Sequence, residues 1–216
     1  MMKSRLIAAV VLLALIVASN CSADVVLLSD DFNAENGGTA QTSYDSFANW
    51  NVIRGNVDLI GNGNFDFFPG NGLYVDSDGT NASAPGLMES KTTFDLLTSE
   101  MYTLSFRLAN TDDRFGGTEN PNRLTVSIGS FAETFTRIGL QDFESITRTF
   151  QVSADMMGQT ISFDQLGASD AIGVLIDDVQ FSCDTCVVPE PSSVFLLGLV
   201  LTSGVLCRRE SRLLAN

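Results

Sequence analysis

Side chains that alternate apolar and polar along an extended chain can bury one face only, and this alternation recurs through the middle of the sequence. Met101–Leu108 sets Tyr102, Leu104, Phe106 and Leu108 on one side and Thr103, Ser105 and Arg107 on the other. Leu124, Val126 and Ile128 alternate with Thr125 and Ser127, and Ile161 and Phe163 with Ser162 and Asp164. Further strands are expected at Val25–Leu28, Trp50–Ile53, Val57–Ile60, Leu73–Asp76, Met88–Leu96, Phe131–Arg137, Ile146–Val152 and Gly173–Phe181. Clusters of Gly, Asn, Asp and Pro separate these runs at intervals of roughly a dozen residues, with no helical period and no internal repeat. Many short strands so spaced predict an all-β domain over residues 24–182, a β-sandwich or jelly roll.

The two ends read as addresses. Met1-Met2-Lys3-Ser4-Arg5, an apolar run from Leu6 to Ala18 and the small residues before Asp24 form a secretory signal peptide of residues 1–23, a signal helix cut after Ala23. The run is shorter than the ~20 residues needed to cross hydrocarbon, which argues against a permanent anchor. At the other end, Pro189-Glu190-Pro191 precedes an apolar stretch from Val194 to Leu206 and then Arg208 and Arg209. The prolines forbid helix and leave an extended, accessible peptide. The stretch that follows, a short transmembrane helix at about 194–207, is adequate for a transient span, with the arginines held cytoplasmic. This order of elements resembles the PEP-CTERM sorting signal, which implies export, transient anchoring in the inner membrane by residues 189–216 and processing by an exosortase-type enzyme. The expected destination is the cell envelope or the extracellular matrix.

The 216-residue chain carries 26 Asp and Glu against 12 Lys and Arg, a net charge of −14, and no histidine. Five of the basic residues, Lys3, Arg5, Arg208, Arg209 and Arg212, belong to the sorting ends, so the middle is more acidic still. Such a domain repels nucleic acid. The lack of histidine removes the commonest general base and the commonest transition-metal ligand. Cys183 and Cys186 fall in a short linker, residues 183–188; a lone C-x-x-C lacks the four ligands of structural zinc. In an exported protein the pair is expected to close a small disulfide loop or to remain as two thiols.

Asp30-Asp31-Phe32, then Tyr44, Phe47 and Trp50, then Gly55–Ile60, Gly72–Gly79 and a closing Gly173–Phe181 resemble the galactose-binding-like jelly rolls, among them carbohydrate-binding modules and DUF642-like secreted proteins. That resemblance implies a structural calcium shared by an acidic residue of the last strand and acidic residues near the N-terminus. Asp177, Asp31 and Glu35 are the matching positions, with carbonyls near Gly37–Thr39 completing an oxygen shell. Counting by two along the last strand puts Asp177 with Leu175, Val179 and Phe181 among core residues, unless a bulge intervenes. A carboxylate so placed needs a cation or several donors. No other cofactor is required.

Phe67 and Phe68, in the Gly- and Asn-rich loop 61–72, and Phe115 with Asp112 and Arg114 are candidate ligand residues: flat rings suit the C–H faces of sugars, and the polar neighbours suit hydroxyls. The alternative is that the rings fold under their own loops as satellite clusters. Trp50 reads as core, and Asp76–Gly79 as a strand-ending turn. A Ser or Cys triad cannot be built without histidine. The expected function is therefore non-enzymatic, a glycan-binding or structural envelope domain with polysaccharide as partner. The alternative is a carboxylate-dependent extracellular polysaccharide hydrolase.

Overall fold

The computed structural model describes residues 24–63, 65–80, 83–111, 121–167 and 169–186. The signal segment and the sorting tail, including Pro189, Glu190, Pro191, Arg208 and Arg209, lie outside the described residues, as do Asp112, Arg114 and Phe115.

The alternating runs form strands in two stacked antiparallel sheets, a β-sandwich of the jelly-roll class. The strands are β1 (Val25–Asp30), β2 (Trp50–Arg54), β3 (Asp58–Gly61), β4 (Leu73–Asp76), β5 (Leu87–Ser90), β6 (Phe94–Leu96), β7 (Tyr102–Thr111), β8 (Asn122–Ile128), β9 (Phe131–Arg137), β10 (Leu140–Phe150), β11 (Met156–Gln159), β12 (Ser162–Leu166) and β13 (Val174–Cys183). One sheet runs β10-β7-β13-β4-β3, with β1 also on β13; the other runs β2-β5-β12-β8-β9; β6 and β11 make a small separate pair. Between the sheets lies a core of alternate side chains, among them Leu104, Phe106, Val126, Phe163 and Phe181. Trp50 is fully buried there, as its reading as core expects, edge-on to Phe163 at 5.4 Å and donating its indole N–H to Asp30 Oδ2 at 2.9 Å.

Three departures from the sequence reading have local causes. The run expected at Met88–Leu96 divides between β5 and β6, because the Ser90 hydroxyl donates to Thr92 O at 2.7 Å and bends the chain out of its ladder. β11 escaped notice because its four residues carry one polar side chain and a glycine at positive φ, a weak period-two signal. Cys183, placed with the linker in sequence, is the last residue of β13, pairs with Tyr102 and Val25, and is fully buried. It forms a disulfide with Cys186, so the compact unit runs Asp24–Cys186.

The largest correction concerns β13. Its register on β7 shifts between Asp177 and Gln180, and Asp178 takes a left-handed φ of 48°. The inserted residue is a β-bulge, which exchanges the faces on either side of it. Val174 and Ile176 before it, and Val179, Phe181 and Cys183 after it, all meet the inter-sheet core. Leu175 instead joins a second cluster with Ile60, Tyr74 and Ala109 on the outer face, and Asp177 follows it there by alternation.

This outer cluster is roofed by the loop between β3 and β4. The loop leaves the sheet at Gly61, whose φ of +105° and approach to the Gly72 carbonyl leave no room for a Cβ. Replacing Gly61 with alanine is expected to lower the unfolding free energy by about 1–3 kcal/mol. Chemical denaturation reads this directly, and an unchanged midpoint would mean that the loop is not held in this way.

Candidate functional site

The outer face of the first sheet carries Asp58 and Ile60 on β3, Tyr74 and Asp76 on β4, and Asp177 across from Arg107 of β7. Apolar side chains here need a cover, and loop 61–72 supplies it. The backbone N–H groups of Phe67 and Phe68 donate to the Tyr74 hydroxyl oxygen at 2.8 and 3.3 Å, which draws both rings onto the cluster. Burial pushes the Tyr74 hydroxyl pKa up to about 12, so it stays neutral as the loop's anchor. Phe68 packs edge-on to Phe143 at 5.6 Å. Its ring is partly buried against the cluster beneath its own loop and is not part of the lining of the cleft over β3 and β4. Phe67 shares that packing but also lines a cleft, and Phe65 stands 52% exposed at its rim.

The cleft has a volume of about 340 Å³ and is lined by Asp58, Ile60, Phe65, Phe67, Asp76, Thr80 and residues 170–172. Two buried aspartates, Asp58 and Asp76, are part of its wall, and a third, Asp78, adjoins Asp76. Asp58 accepts the N–H groups of Ser43 at 2.6 Å and Thr80 at 3.1 Å, and the Thr80 hydroxyl at 2.6 Å, so both of its oxygens are engaged. Asp78 accepts the Ser169 hydroxyl at 2.8 Å and the N–H groups of Asp170 and Ala171 at 2.7 and 3.0 Å. Asp76 accepts from Asp78 N–H at 3.0 Å and Gly173 N–H at 2.8 Å, both through Oδ1. Burial, opposed by those two N–H groups and reinforced by the charges of Asp58 and Asp78, holds its carboxyl well above the usual range. Sequence reasoning took Asp76–Gly79 for a turn only. The signal available was that Asp58 and Asp76 share their strand faces with Ile60 and Tyr74, a face too apolar to stand in water.

The calcium set does not assemble. Glu35 is buried elsewhere, accepting Ala48 N–H at 2.8 Å and the Tyr44 hydroxyl at 3.3 Å. The carbonyl of Thr39 takes the Asn36 side chain at 2.9 Å. Asp31 is exposed and caps Asn33 N–H at 3.1 Å, near enough to Asp177 to add a small repulsion. Asp177, 1% exposed, instead meets a guanidinium: Arg107 Nη1 lies 3.4 Å from it and 3.1 Å from Asp178, while Asp178 N–H donates to Asp177 Oδ1 at 2.8 Å. Arg107 also reaches Asn71 Oδ1 at 2.9 Å and lies 4.8 Å from the Phe143 ring centre. Among the described residues, only Glu100, Cys183 and Cys186 bring three metal-ligating side chains within 4.8 Å, and the two cysteines are joined to each other. Asp31, Glu35 and Asp177 thus do not gather their carboxylates at one point, and Asp177 has Arg107 as its charged neighbour.

A groove of about 230 Å³ between β9 and β10 contains Arg137 and Arg148. Each is paired with a glutamate, Arg137 with Glu144 and Arg148 with Glu133, both at 2.6 Å, so the groove presents no net positive field.

No protein-family model matches the chain, and no curated protein does. Among solved structures it is similar to a family 35 carbohydrate binding module from Clostridium thermocellum, at 12% identity and a TM-score of 0.37, over 66% of this chain and 95% of that one. It is also similar to the K3 cleaved adhesin domain of Lys-gingipain from Porphyromonas gingivalis, at 17% and 0.47, over 74% and 99% of the two chains. A third is the CBM22-1 xylan-binding domain from Paenibacillus barcinonensis Xyn10C, at 10% and 0.39, over 77% and 99%. Likeness of this degree carries no ligand or activity over to this chain.

Burial, with the neighbouring Asp178 charge, raises the Asp177 pKa from 3.8 to about 7, against the pull of Arg107. A carboxyl raised by folding makes the folded chain bind the extra proton, so its stabilising contribution is full below pH about 4 and is lost as pH rises through about 7. Asp177→Asn is therefore expected to flatten the fall in melting temperature across that window. Parallel curves for the two proteins would place Asp177 in a more solvated setting.

Proposed function

We propose that this chain is an exported cell-envelope or extracellular-matrix protein whose β-sandwich binds glycan without turning it over. The observation that carries this reading is the cleft over β3 and β4. The exposed Phe65 ring and the flanks of Phe67 and Ile60 offer an apolar surface, while Asp76 Oδ2 and the polar rim offer acceptors for hydroxyls. Concave sites that join apolar walls to a few fixed polar groups are the usual form of small-ligand sites. The loops around it are already pinned by Asp58 and Asp78, so little ordering cost opposes binding.

A polysaccharide hydrolase is the competing reading, since Asp58 and Asp76 face each other across the β3–β4 pair and the carboxyl of Asp76 is raised. Both Asp58 oxygens are engaged by Ser43 and Thr80, so the carboxylate opposite Asp76 has no free oxygen to activate water, which favours binding. The address rests on the ends of the sequence, with an exosortase-type enzyme as the processing partner of residues 189–216.

Two measurements test these readings. On a glycan array, Phe65→Ala is expected to weaken binding by about tenfold, the loss of one aromatic contact, with an unchanged melting temperature. Silence of the parent protein across the array would assign the domain a structural role. Replacing Pro189, Glu190 and Pro191 with alanines is expected to leave the protein in the inner membrane, as read by fractionation. Unaltered sorting would reduce the tail to an anchor.

A further inference from the structure

We infer that the cleft takes an amino sugar, its ring lying against Phe65 and Phe67 and its ammonium meeting Asp76 Oδ2. The inference rests on the glycan-binding reading and names the class of sugar.

Asp76 is 5% exposed, and among the described residues no donor reaches its Oδ2, although Oδ1 is held by two backbone N–H groups. That open oxygen, in a residue that lines the cleft, offers an acceptor to a donor from the ligand. Among the described residues the cleft's ionisable lining is acidic, with Asp58, Asp76 and Asp170. Asp78 stands behind Asp76 and adds to the same field. A uronate or sulfated sugar would bring like charge into this wall. A neutral hydroxyl would satisfy Oδ2 but bring no counter-charge to Asp76, whereas an ammonium does both through a charge-assisted bond about twice as strong. The elevated affinity of Asp76 for a proton reports the same local demand for positive charge.

A metal ion answers that demand less well. Calcium wants six to eight oxygens, yet Asp58, Asp76 and Asp78 do not gather three ligand atoms within 4.8 Å. The oxygens of Asp58 are occupied as well. A monocation with its own hydrogens needs only the one open acceptor. The apolar side of the cleft, Ile60, Phe65, Phe67 and Ile172, calls for a ring attached to that cation and not for a simple amine.

The test compares three β-1,4-linked oligosaccharides of equal length, built from glucosamine, N-acetylglucosamine and glucose. Each is titrated into the purified chain at matched pH values from mildly acidic to neutral, a range over which the amines stay largely protonated while the raised carboxyl of Asp76 ionises. The glucosamine oligomer is expected to bind about tenfold more tightly than the other two. Asp76→Asn keeps the Oδ1 contacts and is expected to abolish that preference with an unchanged melting temperature. Asp24→Asn removes the same charge from an exposed position at the start of the unit and is expected to leave the preference intact. Phe65→Ala should weaken all three oligomers. Equal affinity for the N-acetyl or glucose oligomer overturns the inference. So does a preference that survives Asp76→Asn, the mark of diffuse attraction to an acidic protein, or saturable Asp76-dependent binding of calcium chloride alone. If the three oligomers fail while other glycans bind in a Phe65-dependent way, only the amino-sugar class is lost. If no glycan on a broad array binds, the glycan reading itself falls.

Discussion

The fold depends on one inserted residue in its most connected strand. β13 pairs with β7 along one edge and with β4 and then β1 along the other, so any error in its register would propagate into three other strands. The bulge at Asp178 lets Val174 and Ile176 point inward on one side of it and Val179, Phe181 and Cys183 on the other. An unbroken period of two would present one of these sets to the outer face. Fully burying a Val, Ile or Phe side chain contributes about 1.5–3 kcal/mol each, so two or three misplaced residues rival the net stability of an ordinary domain. The bulge also carries Asp177 out of the inter-sheet core to a place where Arg107 reaches it. A carboxylate left unpaired between the sheets would cost several kcal/mol.

Because the outer face of β3, β4 and β13 is apolar, the sheet needs a second layer there, and the cleft is a consequence of how that layer is tied down. Tyr74 holds loop 61–72 through two backbone N–H groups, while Asp58 and Asp78 collect N–H groups from Ser43, Thr80, Asp170 and Ala171. Each aspartate bonds to chain segments distant in sequence, so loops that would otherwise move independently share their anchors. Carboxylates satisfied by backbone donors are strong acceptors in a place that water reaches poorly. The geometry around Asp76 is therefore fixed before any ligand arrives.

The sequence discloses what depends on local alternation and conceals what depends on one residue's backbone angle. β4 and β9 have the expected limits, and β7 and β8 present the expected faces because apolar and polar residues alternate along Tyr102–Leu108 and Leu124–Ile128. The face of Asp177 stays open in the sequence because a bulge leaves no mark in hydropathy. Asp177-Asp178 looks the same whether one or both residues oppose a partner. The charged neighbour of Asp177 is hidden for a related reason. Arg107 lies 70 positions before Asp177, and nothing local says that the two become cross-strand neighbours. In loop 61–72 the three phenylalanines are indistinguishable by composition. That Phe68 turns inward and Phe65 outward is decided by the Tyr74 hydroxyl, several residues further along the chain. The disulfide pair was legible as cysteines but not as the end of a strand, since Ser182 and Cys183 offer no apolar run to extend β13.

The direction of β13 also relates the cleft to the point where the chain leaves the domain. The strand begins at Val174, directly after the 170–172 segment that lines the cleft, and ends at Cys183. Ten residues at about 3.3 Å each separate the two by roughly 30 Å. The exit is secured independently of the cleft. Cys186 is bonded to Cys183, Asp184 N–H donates to Met101 O at 2.8 Å, and the Thr103 hydroxyl donates to Asp184 Oδ2 at 2.6 Å. Tension applied beyond residue 186 is thus borne first by the disulfide and by the edge of β7, the strand with the longest pairing to β13. The aspartate-held loops at the other end are not part of that path. The cleft and the end of the described chain thus lie at opposite ends of β13, and the bonds that restrain residues 183–186 are separate from those that hold the loops around the cleft.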